Sequence, residues 1–210
     1  MKHEKKSIRI GNEATAFAPY PDAVTAEGLV FTSGARARTQ GQGFAALPEA
    51  ARGKQQGFGL VDRYEGAASE GAWEAHASLE AVLNAAGSDN AQILRQHVWQ
   101  KDKRFFPCYE AVRIHWQPAP SPSSGLGVSH IPGAGTQWIG LDAIAVAPGV
   151  NPQFGARAVL AGVNTTALPS ASHYSQAVKS GPLVFTAGHI AIKTSEPGKP
   201  VVQGYDDVPP

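Results

Sequence analysis

The chain breaks into blocks of different hydrophobic period. Residues 29–33 form a run of β-branched and aromatic side chains and read as a strand, with a shorter candidate strand at residues 7–10. Over residues 69–86, Trp73, His76, Leu79, Val82, Leu83 and Ala86 recur at spacings of three and four, which predicts an amphipathic helix. Ser69 is placed to cap its start, Glu70 sits at the positive end of its dipole, and Gly87 supplies the left-handed residue that ends it. A strand follows at 93–99, with Ile93, Arg95, His97 and Trp99 read as one face. A second helix is expected over 107–116, with proline in its first turn and Phe105, Tyr109, Val112 and Trp116 as its apolar stripe. Residues 126–129 suggest a short strand. Residues 138–147 (WIGLDAIAVA) are apolar on both faces, as in a central, covered strand.

The remaining segments read as connections. Residues 35–66 are rich in Gly and Gln, with a helical turn expected near 48–52. GQG at 41–43 and GFG at 57–59 follow no strand-to-helix junction, which argues against a phosphate cradle. A Pro/Ser loop occupies 117–125, and residues 151–168 form a linker with a short strand around 157–161. The order gives an α+β fold, a mixed sheet with two helices packed on one face.

Residues 20–34 (YPDAVTAEGLVFTSG) recur as residues 174–188 (YSQAVKSGPLVFTAG), an offset of 154. Tyr, Ala, Val, Leu, Val, Phe, Thr and Gly are identical, 8 of 15 positions. Chance at average composition gives about one identity. Each copy is a strand entered from a turn. The repeat divides the chain into a complete unit at 1–150, a linker at 151–168 and the front of a second unit at 169–210. A lone hairpin is marginal in water. The second copy is therefore expected to be cut short, or to dock on a partner that supplies its remainder as a separate chain. The polar, Pro-ended GYDDVPP is the sort of exposed segment where nicking occurs.

Composition narrows the function. The chain has 210 residues, 42% hydrophobic and 17% charged, with net charge +1. This is a globular balance, and it argues against a general pull toward nucleic acid or anionic membrane. The single cysteine, Cys108, cannot form an internal disulfide or a multi-cysteine zinc site and reads as core. No H-x-H or H-E-x-x-H spacing occurs, so no metal is expected. No apolar run approaches the ~20 residues of a membrane helix. MKHEKK is followed by no apolar stretch, so a cytoplasmic protein is expected.

Four segments in order, EGLVFTSG at 27–34, SLEAVLNAAG at 78–87, VWQKDKRFFPCYEAV at 98–112 and IGLDAIAV at 139–146, resemble the RidA/YjgF family. That family is also called endoribonuclease L-PSP or translation initiation inhibitor. The resemblance implies a chorismate-mutase-like α+β unit, usually a homotrimer with ligand clefts between subunits. It also implies a deaminase of small enamines or imines that uses no metal or organic cofactor. For this chain the corresponding assembly is a homotrimer or a trimer of tandem units.

Asp142 stands in an otherwise apolar strand, where an ionised carboxylate is costly unless paired. It falls where deaminating relatives place a catalytic glutamate, and so would orient water. Tyr20 and Ser33 match the family's ligand-contacting tyrosine and serine, with the Gly34 N–H beside them. The second copy keeps Tyr174 but has Ala187 for the serine. The family's carboxylate-binding arginine corresponds to Ser123, with no arginine between 117 and 156, and a family asparagine becomes Glu110. Lysine or serine is no substitute for a bidentate arginine. A neutral or cationic ligand is expected. His130 could serve as a base near Asp142, and Arg36 and Arg38 could reach an anion at the cleft mouth. Two functions follow. One is a cofactor-free deaminase or hydrolase of a small enamine, imine or amide. The other is an inactive binding or scaffold protein that lacks the clamp.

Overall fold

A computed structural model describes residues 4–10, 20–37, 41–52, 62–132, 136–160 and 173–189. The main sheet contains β1 (Lys5–Ile8), β2 (Ala23–Ala26), β3 (Leu29–Thr32), β4 (Ala35–Arg36), β5 (Ile93–Gln100), β6 (Ser123–Gly127) and β7 (Ile139–Val146). Its order is β1-β2-β3-β7-β5-β6, with β4 also on β7. All pairs are antiparallel except β5 with β6, which are joined by a helical crossover. The expected central strand is β7, bonded to β3, β4 and β5.

Two helices, α2 (Ala67–Ala85) and α3 (Phe106–Trp116), cover one face; α1 (Glu49–Arg52) is the expected turn in the long loop. Leu79 and Leu83 of α2, Tyr109 and Val112 of α3, and Ile139, Leu141, Ala143 and Ala145 of β7 form the core with Val30 and Val98. Gly87, at φ 76°, terminates α2 as expected.

Three local readings change. Ser69 is not a cap, because the helix begins earlier and Ser69 lies buried within it. A π-helical turn at Asp62–Gly66 leads directly into α2. The Asp62 carboxylate accepts from the Phe44 N–H at 2.8 Å. Side chains at Gly43 and Gly66 would collide with it. In β5, Ile93 does not share a face with Arg95, His97 and Trp99. A register shift between Ile93 and Arg95 turns Ile93 into the helix-side core. The sixth strand begins three residues before the expected 126–129.

The GQG segment binds an anion from within the chain. Glu70, buried on α2, accepts the N–H groups of Gly41, Gln42 and Gly43 at 2.9–3.2 Å. This carboxylate ties the loop to the helix more than it serves the dipole. Glu70→Ala is expected to cost about 2–3 kcal/mol of unfolding free energy. It should also speed amide exchange at these three positions. Unchanged exchange there would refute the anchoring role. The GFG segment and Arg38 lie outside the described residues.

The repeated segment folds the same way twice. In β2–β3, Ala23 pairs with Thr32 and Val24 with Phe31. In β9 (Ala177–Ser180) and β10 (Leu183–Thr186), Ala177 pairs with Thr186 and Val178 with Phe185, the same register at offset 154. The strand expected near 157–161 is β8 (Ala158–Val159), which adds to β9.

The second hairpin docks on the helix-free face of the main sheet. Val178, Phe185 and Phe154 pack against Leu94, Val146 and Leu29. Gly188 N–H donates to Ser123 O at 3.0 Å, and Arg95 donates to Thr186 O and to Ser124 Oγ. Arg157 donates to Pro120 O and Ala119 O, both at 3.0 Å. The two hairpins therefore bury opposite sides. In the first, Val30 is buried and Phe31 is 42% exposed. In the second, Phe185 is packed and Val184 is 54% exposed. Residues 190–210, with the GYDDVPP end, lie outside the described residues.

Candidate active site

A cleft of about 290 Å³ opens where β4, the ends of β5 and β7, and the loop after β6 converge. Four of the residues singled out in the sequence line it: Tyr20, Gly34, Arg36 and His130. Ile131 and Pro132 add apolar wall, and Trp99 closes the side toward the sheet. Among the described residues no acidic side chain lines it, and Arg36 brings a cation. A broader depression of about 770 Å³ lies at the turn end of β2–β3 and holds none of the candidate residues.

Asp142 does not line the cleft but is joined to it. Trp99 Nε1–H donates to Asp142 Oδ2 at 2.6 Å. Asp142 Oδ1 lies 2.8 Å from His97 Nδ1. The histidine on Asp142 is thus His97, not His130. Register explains the meeting: His97 of β5 stands directly opposite Asp142 of β7, and Trp99 opposite Gly140, all on the helix-free face. With no side chain, Gly140 leaves the cleft open beside the indole.

Ser33 lies next to the cleft residue Gly34, but its hydroxyl donates to Pro21 O at 2.6 Å and its N–H to Asp22 O at 2.7 Å. These bonds shape the turn that presents Gly34. In the second copy Ala187 N–H donates to Gln176 O at 2.8 Å, so the backbone bond survives without the hydroxyl.

Glu110 and Ser123 come together elsewhere, around Arg113. This buried guanidinium donates to Ser121 O at 2.9 Å, Ser123 Oγ at 3.0 Å and Glu110 Oε1 at 3.3 Å. Glu110 Oε2 also accepts the His173 N–H at 2.7 Å, and Ser175 N–H donates to Ser121 O at 3.3 Å. An arginine therefore reaches the Ser123 position from α3, but its hydrogen bonds are spent on the chain itself. Glu110, on which the expectation of a neutral or cationic ligand leaned, does not line the cleft.

Cys108 is buried, and burial raises its thiol, which agrees with a core role. Among the described residues no group of three or more His, Cys, Asp or Glu side chains could hold a metal. No described helix is long and apolar enough to cross a membrane.

A mixed sheet with two helices on one face, carrying a cleft at the end of its central strands, defines the α+β class expected for this chain. No family model and no curated protein matches it. Solved structures match the fold. A candidate endoribonuclease from Klebsiella pneumoniae has a TM-score of 0.53 at 23% identity, over 61% of this chain and 100% of that one. A member of the YjgF/YER057c/UK114 family from Mycobacterium tuberculosis has a TM-score of 0.51 at 15% identity, over 68% and 99%. A candidate endoribonuclease from Thermotoga maritima has 0.50 at 19% identity, over 69% and 98%. The chain has the YjgF/RidA fold, and about a third of its length lies outside these matches.

Proposed function

We propose that the protein is a cofactor-free hydrolase or deaminase acting on a small enamine, imine or amide in the Tyr20–Arg36–Trp99–His130 cleft. One observation carries the reading. Residues from five separate segments converge on a partly apolar cleft whose Trp99 wall is hydrogen-bonded to the carboxylate of Asp142. Arg36, with no acidic side chain among the described lining residues, favours a neutral or anionic substrate. Net charge +1 and a single lining arginine make a poor track for a polyphosphate backbone, which weighs against ribonuclease action.

A panel of enamines, imines and amides tests this, with Asp142→Asn as the comparison. The variant keeps the shape of the side chain. It is expected to lower kcat/KM about 100-fold or more, the scale of a lost acid–base contribution. Equal rates in variant and wild type would overturn Asp142's part. The second reading, a binding unit without catalysis, is favoured by Arg113, which is committed to internal bonds where relatives hold a substrate carboxylate. It expects ligands to bind the cleft with no turnover across the whole panel.

A further inference from the structure

We propose that His97 is the proton acceptor of this site and that Asp142 is its orienting partner; the inference rests on the reading of the cleft as an acid–base enzyme. Asp142 is the residue that sequence points to. Its two oxygens are already engaged, one by the Trp99 indole at 2.6 Å and one by His97 at 2.8 Å. A carboxylate only accepts, so the proton of a neutral His97 resides on Nδ1. Nε2 is then a lone-pair acceptor, and no described residue bonds to it. The His97 side chain is 35% exposed on the helix-free face. Fixing the tautomer through Nδ1 is how a carboxylate prepares a histidine for proton transfer.

Position supports the role. Trp99, two residues further along the same face of β5, has its ring centroid 6.1 Å from that of His97. His97 stands beside the cleft rather than in its wall, next to the lining residue Trp99 on the same face of β5. The other charged group on this face of β5 is Arg95, which is committed to Thr186 O and Ser124 Oγ. Ser124 faces His97 across β6, and Asp142 faces it across β7.

For a protonated imine the step balances as follows. Water adds to the C=N carbon, and the electron pair of the π bond moves to nitrogen. The water's extra proton passes to His97 Nε2, giving a neutral carbinolamine. The imidazolium returns that proton to the amine nitrogen. The C–N bond breaks, ammonia leaves with the bonding pair, and the hydroxyl proton passes to Nε2 as the carbonyl forms. The imidazolium then releases it to solvent.

The test uses the full chain in two measurements. Long-range proton–nitrogen NMR correlations of the ¹⁵N-labelled protein are expected to find His97 protonated on Nδ1 at neutral pH, and Asp142→Ala to lose that preference. In turnover of the panel, His97→Ala is expected to lower kcat about 100-fold with KM within about threefold. Added imidazole should restore part of the rate. A wild-type rate retained in His97→Ala, or a neutral ring protonated on Nε2, overturns the role of His97 and leaves the enzyme reading standing. No turnover by wild type of any panel compound overturns the enzyme reading, and His97's role with it.

Discussion

Arg113→Ala is expected to destabilise the protein by about 3–5 kcal/mol, the cost of removing one partner from a buried ion pair. The guanidinium joins four parts of the chain: Glu110 on its own helix, Ser121 in the loop, Ser123 on β6 and Gln117 at the helix end. Its removal leaves the largely buried Glu110 carboxylate with the His173 N–H but without its ion-pair partner. Ser121 O, which holds Ser175, also loses its second donor. The damage should therefore spread to the β8–β10 hairpin. Denaturant melts give the loss, and limited proteolysis between β8 and β9 reads the release. Glu110→Gln, which removes the charge but keeps an acceptor, is expected to cost less than half as much. A loss below about 1 kcal/mol for Arg113→Ala would mean that the network is redundant.

Acid is expected to weaken the fold through His76. The ring is fully buried on α2, stacked 5.7 Å from Tyr109 and 6.2 Å from Trp116, and neither nitrogen has a described partner. Burial, and then the nearby Arg113 charge, lower its pKa from 6.5 to about 3. Between those values the unfolded chain binds a proton that the folded chain refuses. The contribution of neutral His76 is complete above about pH 6.5 and is lost as the pH falls toward 3. Going from pH 7 to about 4.5 should remove about 2–3 kcal/mol, at about 1.4 kcal/mol per unit. Urea melts at the two pH values measure it. His76→Phe, which fills the same slot without a titrating group, should flatten this part of the dependence. An unchanged slope in that variant would assign the acid loss to other groups.

The elements legible in the sequence were those fixed by local period. α2 and α3 appeared as stripes of spacing three and four, and β7 as a run apolar on both sides. Tyr20, Gly34, Arg36 and His130 were legible as candidates, and they share a cleft. What escaped depends on register and distance. The face of β5 was misread because a bulge at Leu94 breaks the alternation. His97 went unassigned because its partner sits 45 residues away. Only the pairing of β5 with β7 sets them opposite each other. Arg113 is not legible from the residues around Ser123 along the chain, because the contact is made across a helix end. The anion that the GQG segment holds, Glu70, could not be read from a window of neighbours.

The two copies of the hairpin carry the same LVFT word under opposite obligations. At Val30 the core constrains the side chain, while Phe31 is partly free. At Val184 and Phe185 the roles are exchanged. Mutational tolerance along the word therefore shifts by one residue between the copies. Drift should erode the identity between them at alternating positions, Phe first in one and Val first in the other. A repeat that begins as a duplicate becomes, by this asymmetry alone, two segments that evolve out of phase.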